Sequence, residues 1–328
     1  MKSVLIAIEK FGEADNAPLA ALKEAGIDVI PNDTGQSLKA NESPELFKEA
    51  DYIIAGLEKY SSSTFLNCPK LQCISRVGVG TDNIDLVAAK AAGVRICITS
   101  DKPSVAVAEL CIGNMISLLR HTHEMSNDLK AGFWSPIQGS NLRSCTIGIV
   151  GLGSIGKELA HRLCNFGCNV ISASRTWNDK FARENNVSRK TLDDLFSMSN
   201  IVSIHLPMDN ETKNMISREL IRKMPSGGIL VNTSRAGVVD NQAVVQSLLD
   251  GQLSGAAIDV FDDEPNPEPY SAVPNVILSP HIGSHTRETR LAMELMAVEN
   301  IIAVEKYSKN LSGTDAKNLL SYLEQVTV

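Results

Sequence analysis

Short apolar runs rich in Val and Ile alternate with longer stretches of helical spacing almost from one end of the chain to the other. The runs predict strands over Val4–Ile8, Tyr52–Ala55, Leu71–Ser75, Arg95–Ile98, Thr146–Val150, Asn169–Ala173, Ile201–Leu206, Ile229–Asn232, Ala256–Val260 and Val276–Leu278. Most are continuous rather than alternating. That is the pattern of strands covered by helices on both faces, as in parallel sheets. Strand–helix repetition on this scale predicts an α/β architecture.

The pattern changes character once. Residues 1–98 hold a first strand–helix set, the loop Thr99–Ser104 follows, and a long helix is predicted from Val105 to about Lys130. A new strand set opens at Thr146, so a boundary is expected near residue 100. Past Pro280-His281 a second long helix is predicted from Thr286 to Tyr307, with Leu291, Leu295, Val298 and Ile302 at helical spacing. A length of 328 residues is comfortable for two domains.

Composition narrows the function classes. A net charge of −7 argues against nucleic acid as a partner, because phosphate-backbone binding needs an excess of Lys and Arg. The seven cysteines are odd in number and lack zinc spacing, which predicts reduced thiols in a cytoplasmic protein and no metal. The apolar stretch Val4–Ile8 is ended by Glu9 and Lys10, too short to target or span a membrane.

Chemistry enters at the strand Thr146–Val150, which runs straight into Gly151-Leu152-Gly153-Ser154-Ile155-Gly156 and then a helical stretch. A G-x-G-x-x-G between a strand and a helix is the dinucleotide fingerprint. Gly151 makes the tight turn, Gly153 lets the backbone approach a pyrophosphate, and Gly156 lets the helix pack on the strand. Ser154 and Ile155 open the helix whose N–H groups receive the anion. About twenty residues on, NAD-binding versions carry an acid for the ribose 2′-hydroxyl. This chain has Ser174-Arg175-Thr176 instead. No carboxylate is there to repel a 2′-phosphate and a guanidinium is there to pair with one, which favours NADP(H). NAD(H), with Arg175 lying over the adenine, is the alternative.

Three charged residues then fall near predicted strand ends, where open α/β sheets bind ligands. They are Arg235 in Asn232-Thr233-Ser234-Arg235-Ala236-Gly237, Glu264 in Phe261-Asp262-Asp263-Glu264-Pro265, and His281 in Ser279-Pro280-His281-Ile282-Gly283. Taken singly, each has a plain reading: a surface arginine, a loop acid, a capping histidine. With the glycine turn and the segment Arg76-Val77-Gly78-Val79-Gly80-Thr81-Asp82-Asn83-Ile84-Asp85, the set closely resembles the D-isomer-specific 2-hydroxyacid dehydrogenases along nearly the whole chain.

The resemblance implies two Rossmann-like doubly wound parallel-sheet domains. Residues 101–286 would form the central dinucleotide-binding domain, and 1–100 with 287–328 a smaller flavodoxin-like substrate domain. It implies Arg235, Glu264 and His281 as the catalytic set. Val77, Gly78, Val79 and Gly80 would form the substrate loop, with Arg235 and His281 also touching substrate. To the cofactor it assigns, besides the glycine turn and 174–176, His205, Pro207, Thr212, Thr233, Ser234, Asp259 and Gly283. A homodimer is implied as well. His121, His123, His161 and His285 have no motif position and are read as ordinary.

The chemistry gives each residue a task. Reduction of a 2-oxo acid builds negative charge on the carbonyl oxygen, and a protonated His281 can supply the proton. Glu264 beside the imidazole favours its charged form. Arg235 offers a fixed fork of donors for the carboxylate and the oxyanion. Ser174-Arg175-Thr176 looks like NADPH-linked glyoxylate and hydroxypyruvate reductases, and a small unphosphorylated 2-oxo acid is the expected substrate. The loop looks equally like phosphoglycerate dehydrogenases, several of which place an arginine for the substrate phosphate shortly before it. Ala55 stands at that position, and Lys59 nearby is a less directional charge. The expectation from another class is a dinucleotide-sensing corepressor of the C-terminal-binding-protein type, disfavoured by the lack of disordered tails.

Overall fold

A computed structural model of the chain describes residues 1–309 and 314–328. It divides into two units, Met1–Pro103 with Thr286–Val328, and Ser104–His285. Among the described residues each unit is built on one parallel sheet.

The first sheet has the order β2-β1-β3-β4-β5, from Lys2–Ile6 (β1), Ile27–Ile30 (β2), Tyr52–Ala55 (β3), Cys73–Arg76 (β4) and Arg95–Cys97 (β5). Its strands are apolar on both faces because both are covered. Val4 and Ile6 pack with Val298, Ile301 and Val304 of the helix Arg287–Lys309, while Leu5 and Ala7 pack with Phe47, Phe65 and Ile74 on the other side. The first strand starts at Lys2 rather than Val4 because its ladder with β2 begins at Lys2↔Ile27, and pairing sets a strand's ends. β2 carries no clear signal in the sequence: it is an edge strand of four residues interrupted by the exposed Asp28.

The helix Arg287–Lys309 buries a different stripe from the expected one. Met293, Ala297, Val298, Ile301 and Val304 are buried, while Leu291, Leu295 and Ile302 are half-buried. Among the polar side chains that this helix buries, Glu294, Asn300 and Glu305 each have a partner. Glu294 receives the Gly12 N–H at 3.0 Å, Asn300 donates to Ser75 at 3.2 Å, and Glu305 receives the Tyr52 hydroxyl at 2.5 Å. A pattern search for apolar residues cannot see a face completed by satisfied polar groups.

The second sheet runs β12-β11-β10-β9-β6-β7-β8, from Thr146–Val150 (β6), Asn169–Ala173 (β7), Ser188–Arg189 (β8), Ile201–Ile204 (β9), Gly228–Asn232 (β10), Leu253–Ile258 (β11) and Val276–Leu278 (β12). The chain leaves β6 to one side for two strands, then returns to β9 on the other. The carboxyl end of β6 is therefore a topological switch point, and the glycine turn begins there. β8 is two exposed polar residues, which no hydrophobic pattern could mark.

The helix expected over Val105–Lys130 is two helices, Ser104–Leu119 and Thr122–Lys130. His121 sits between them at φ +51°, in the left-handed region that ends a helix. The first helix buries Val107, Ala108, Cys111, Met115 and Leu118 against the sheet, whereas the second buries nothing. No glycine or proline announces the break.

Phe196, on the helix Leu192–Met198, is fully buried among Val150, Ile171, Val202 and Ile204. Phe196→Ala is expected to destabilise this unit by about 3–5 kcal/mol through lost contacts and the cavity left behind. Chemical denaturation measures it, and a loss under about 1 kcal/mol would mean the neighbours collapse into the space.

Candidate active site

The glycine turn separates packing from binding. Gly151 has φ +94°, and a Cβ on it would stand 2.4 Å from the His205 carbonyl oxygen. A Cβ on Gly156 would stand 2.1 Å from the Gly151 carbonyl oxygen. Both glycines are demanded by the protein's own backbone. Gly153 is different: its Cβ would meet nothing within 4 Å. It is the N-cap of the helix Ser154–Asn165 and has no side chain to cap it. The space above it, at the positive end of the helix, fits a dinucleotide pyrophosphate.

Beside the turn a cleft of about 680 Å³ is lined by Val150, Ser174, Leu192, Leu206, Thr212 and Met215 among others. Apolar walls with a few polar groups suit an adenosine. The buried Thr212 locks the adjoining turn: its hydroxyl donates to the Pro207 carbonyl at 2.7 Å and accepts the Asp209 N–H at 2.8 Å. The Thr212 N–H in turn donates to Asp209 Oδ1 at 2.8 Å, which leads the interactions holding that carboxyl below its usual range. Asp209 lies 3.6 Å from Arg175, whose guanidinium also pairs with Glu211. Thr176 is exposed. His205 pairs through Nε2 with the Ser203 hydroxyl at 2.8 Å, and burial pulls its pKa down to about 4, so it is a neutral ring.

Two buried polar residues organise the charged set. Asn232, at the end of β10, donates to the Arg235 carbonyl at 3.1 Å and accepts from the Ser234 N–H at 3.1 Å and hydroxyl at 2.9 Å. This fixes the bend that delivers Arg235, whose Nη1 donates to the Ser234 carbonyl at 2.8 Å. Thr233 faces inward, its hydroxyl 3.3 Å from Cys111 Sγ. Asp259, just past β11 and 1% exposed, accepts the Ser279 hydroxyl at 2.5 Å and the Ile282 N–H at 2.9 Å on Oδ1. Its Oδ2 accepts the Gly283 N–H at 2.8 Å. Burial raises the Asp259 carboxyl despite these bonds. A carboxylate has about four acceptor sites, so one remains on Oδ2 for an amide donor.

Asp259 thus grips the loop on both sides of His281. The histidine sits at φ +52°, a backbone conformation that costs on the order of 1–2 kcal/mol and persists only when neighbours enforce it. Its Nδ1 lies 3.0 Å from both Oε1 and Oε2 of Glu264. Burial works to raise the Glu264 carboxyl, but the His281 contact, the Phe261 N–H and the charge of Arg235 outweigh it, and the net shift is downward. Glu264 is therefore an anion. With Nδ1 engaged, Nε2 is the ring nitrogen left to meet a substrate. The His281 and Glu264 side chains are 28% and 32% exposed, enough to be reached.

In the first unit, the Val77–Gly80 loop follows β4. Arg76 is buried beneath it and donates from Nη1 to the Val77 carbonyl at 2.8 Å. Gly78 has φ +141°, and a Cβ there would overlap Arg76 Nη1 at 1.3 Å, so the loop needs glycine. The Val77 N–H donates to Ala55 and the Gly78 N–H to the Thr99 hydroxyl, both at 2.8 Å. The N–H groups of Val79 and Gly80 have no acceptor among the described residues. Arg76 and Asn232 have no predicted role in the sequence, although a buried charged or amide residue at a strand end is a signal of such support.

The family model for the NAD-binding domain of D-isomer-specific 2-hydroxyacid dehydrogenases matches residues 112–283. The chain is 35% identical to a glyoxylate reductase of Aeropyrum pernix over 78% of its length and 80% of the relative's. It is 32% identical to a hydroxypyruvate reductase of Thermotoga maritima over 82% and 89%. The crystal structure of a glyoxylate reductase from Paecilomyes thermophila superposes with a TM-score of 0.82 at 27% identity, covering 93% of this chain and 96% of that one.

The three glycines are expected to separate on substitution. Gly153→Ala should leave thermal unfolding nearly unchanged yet weaken NAD(P)H binding by roughly ten-fold or more, a loss of about 1.4 kcal/mol. Gly156→Ala forces backbone apart and should destabilise by about 1–3 kcal/mol. Thermal scans and cofactor fluorescence titrations of both variants check it. Equal destabilisation by the two would refute the distinction.

Proposed function

Because the chain belongs to the D-isomer-specific 2-hydroxyacid dehydrogenases, we propose that it reduces a small unphosphorylated 2-oxo acid, glyoxylate or hydroxypyruvate, with NADPH preferred to NADH. Family membership makes it an oxidoreductase of 2-hydroxy acids that uses a nicotinamide dinucleotide. The observation that carries the reaction is the double contact of His281 Nδ1 with an ionised Glu264 that also feels the charge of Arg235.

The bound nicotinamide supplies the hydride. Arg235 holds the substrate carboxylate with its planar fork and faces the carbonyl oxygen as charge develops there. His281 gives its Nε2 proton to that oxygen, and Glu264 compensates the positive ring and fixes its orientation. Asp259 keeps His281 in place and offers its remaining acceptor site to a carboxamide. In this reading the second unit carries the dinucleotide and the first is the substrate domain. The amides of Val79 and Gly80 are the donors that this unit offers to an anion.

Relatives named glyoxylate and hydroxypyruvate reductases support the substrate class. So does the first unit, where a phosphate would find the buried, apolar Ala55 and the buried acid Glu58 near it. The preference for NADPH is supported by the absence of an acid at Ser174 and by the cationic residues Arg189 and Lys190 along the cleft. The proposal includes a homodimer in the cytoplasm. Leu129, Phe133, Trp134 and Ile137 are exposed, Trp134 at 84%, an apolar patch of the kind a second copy would cover. Seven free thiols suit a reducing compartment.

Steady-state turnover with a panel of 2-oxo acids tests the function directly. Glyoxylate and hydroxypyruvate should give the highest kcat/KM, and a preference for a phosphorylated acid would overturn the substrate class. His281→Ala is expected to lower kcat by roughly 10²–10⁴-fold with cofactor binding nearly unchanged. If it kept half its kcat, the proton would come from elsewhere.

A second variant tests Glu264 separately. Glu264→Gln keeps the shape but removes the carboxylate that compensates the positive ring, so kcat should fall by roughly ten-fold or more with cofactor binding nearly unchanged. A wild-type kcat in this variant would show that the contact does not assist the proton transfer.

A further inference from the structure

The residue at the expected 2′-phosphate position is already engaged. Arg175 pairs with Glu211 and lies 3.6 Å from Asp209, so two carboxylates face one guanidinium. Asp209 is held there by the N–H groups of Glu211 and Thr212, both at 2.8 Å. A phosphate approaching Arg175 would have to displace one acid while another stays fixed nearby. The local balance repels a dianion.

Two further cations line the same cleft, Arg189 and Lys190, contributed by the edge strand β8 and the residue after it. Arg189 pairs in register with Ser172, two residues before Ser174. Its guanidinium reaches the Ser174 carbonyl at 3.4 Å, which puts the charge at the carboxyl end of β7, where a ribose edge would lie. The guanidinium also lies over the Trp177 ring, 5.4 Å from its centroid. Trp177 is half-buried and packed on the core, so this platform does not move freely. A guanidinium over an aromatic face still has N–H donors to offer a phosphate. Asp194, an acid that also lines the cleft, accepts the Thr191 hydroxyl at 2.8 Å.

We propose that the 2′-phosphate of NADP(H) is bound by Arg189 on its Trp177 platform, with Lys190 beside it, and that Arg175 is not its main partner. This assignment rests on the NADPH reading above. Arg175, tied to Asp209 and Glu211, instead braces the turn after β9 across the mouth of the cleft. Ser174, which lines the same cleft, completes the phosphate site. Specificity then resides on a strand of two residues at the sheet edge rather than in the loop after β7.

Calorimetric titration with 2′,5′-ADP, which carries the 2′-phosphate but no nicotinamide, and with ADP, which lacks that phosphate, separates the questions. Wild type should bind 2′,5′-ADP at least about ten-fold tighter than ADP, the effect of one charge-assisted contact. Arg189→Ala should remove most of that ratio while leaving ADP within about two-fold, and Arg175→Ala should change the ratio by less than about three-fold. Arg189→Lys, which keeps the charge but loses the fork and the stack, should fall between. A ratio near one in wild type would overturn the NADPH reading and this assignment with it. A wild-type ratio that survives Arg189→Ala, or collapses in Arg175→Ala, would overturn the assignment alone.

Discussion

The buried carboxylate of Asp259 is the constraint on which the second unit's chemistry depends. It stands at the end of β11 and collects the Ser279 hydroxyl and the N–H groups of Ile282 and Gly283 from the loop beyond β12. Those three donors bracket His281 on both sides in sequence. A histidine in the left-handed region would relax if its neighbours were free to move. Asp259 denies that freedom at a cost, since burial destabilises its charge and the loop's donors with the His281 charge offset it only in part. Position is therefore obtained from a residue that need not take part in proton transfer.

The same logic recurs one strand away. Asn232 is fully buried and spends its amide on the Ser234–Arg235 bend, so the arginine emerges from a backbone held by the core. Glu264 differs in being partly exposed, and its ionisation is decided by neighbours. Burial pushes its carboxyl up, while His281, the Phe261 N–H and Arg235 push it down and win. Buried polar groups set geometry here, and the half-exposed Glu264 carries a charge open to solvent.

At the cofactor end, charge pairing redistributes what the local motif offers. Arg175 follows β7 as a phosphate-binding arginine would, yet Glu211 and Asp209 arrive from the turn after β9 and occupy it. Among the described residues Arg189 pairs with no acid, and it lies over an aromatic face. The glycine turn shows a similar division. Gly151 and Gly156 answer to the backbone of their own unit, and Gly153 leaves a space that no protein atom fills.

The sequence by itself determined the α/β class, ten of the strands, the glycine turn and the family, because those rest on local signals: continuous burial, helical spacing and short motifs of fixed order. The resemblance also singled out Arg235, Glu264 and His281 and set Glu264 beside the imidazole, without the geometry that holds them. Edge strands β2 and β8 stayed hidden because one carries a charge and the other has no apolar residue at all. The break at His121 stayed hidden because backbone handedness there has no residue signature. Only the tertiary structure decided which charges meet. Glu264 and His281 are separated by 17 positions, Arg175 and Glu211 by 36, and Asp259 and Gly283 by 24. Such pairings follow from how strand ends converge at one edge of a sheet, a property of the folded arrangement that no local pattern encodes.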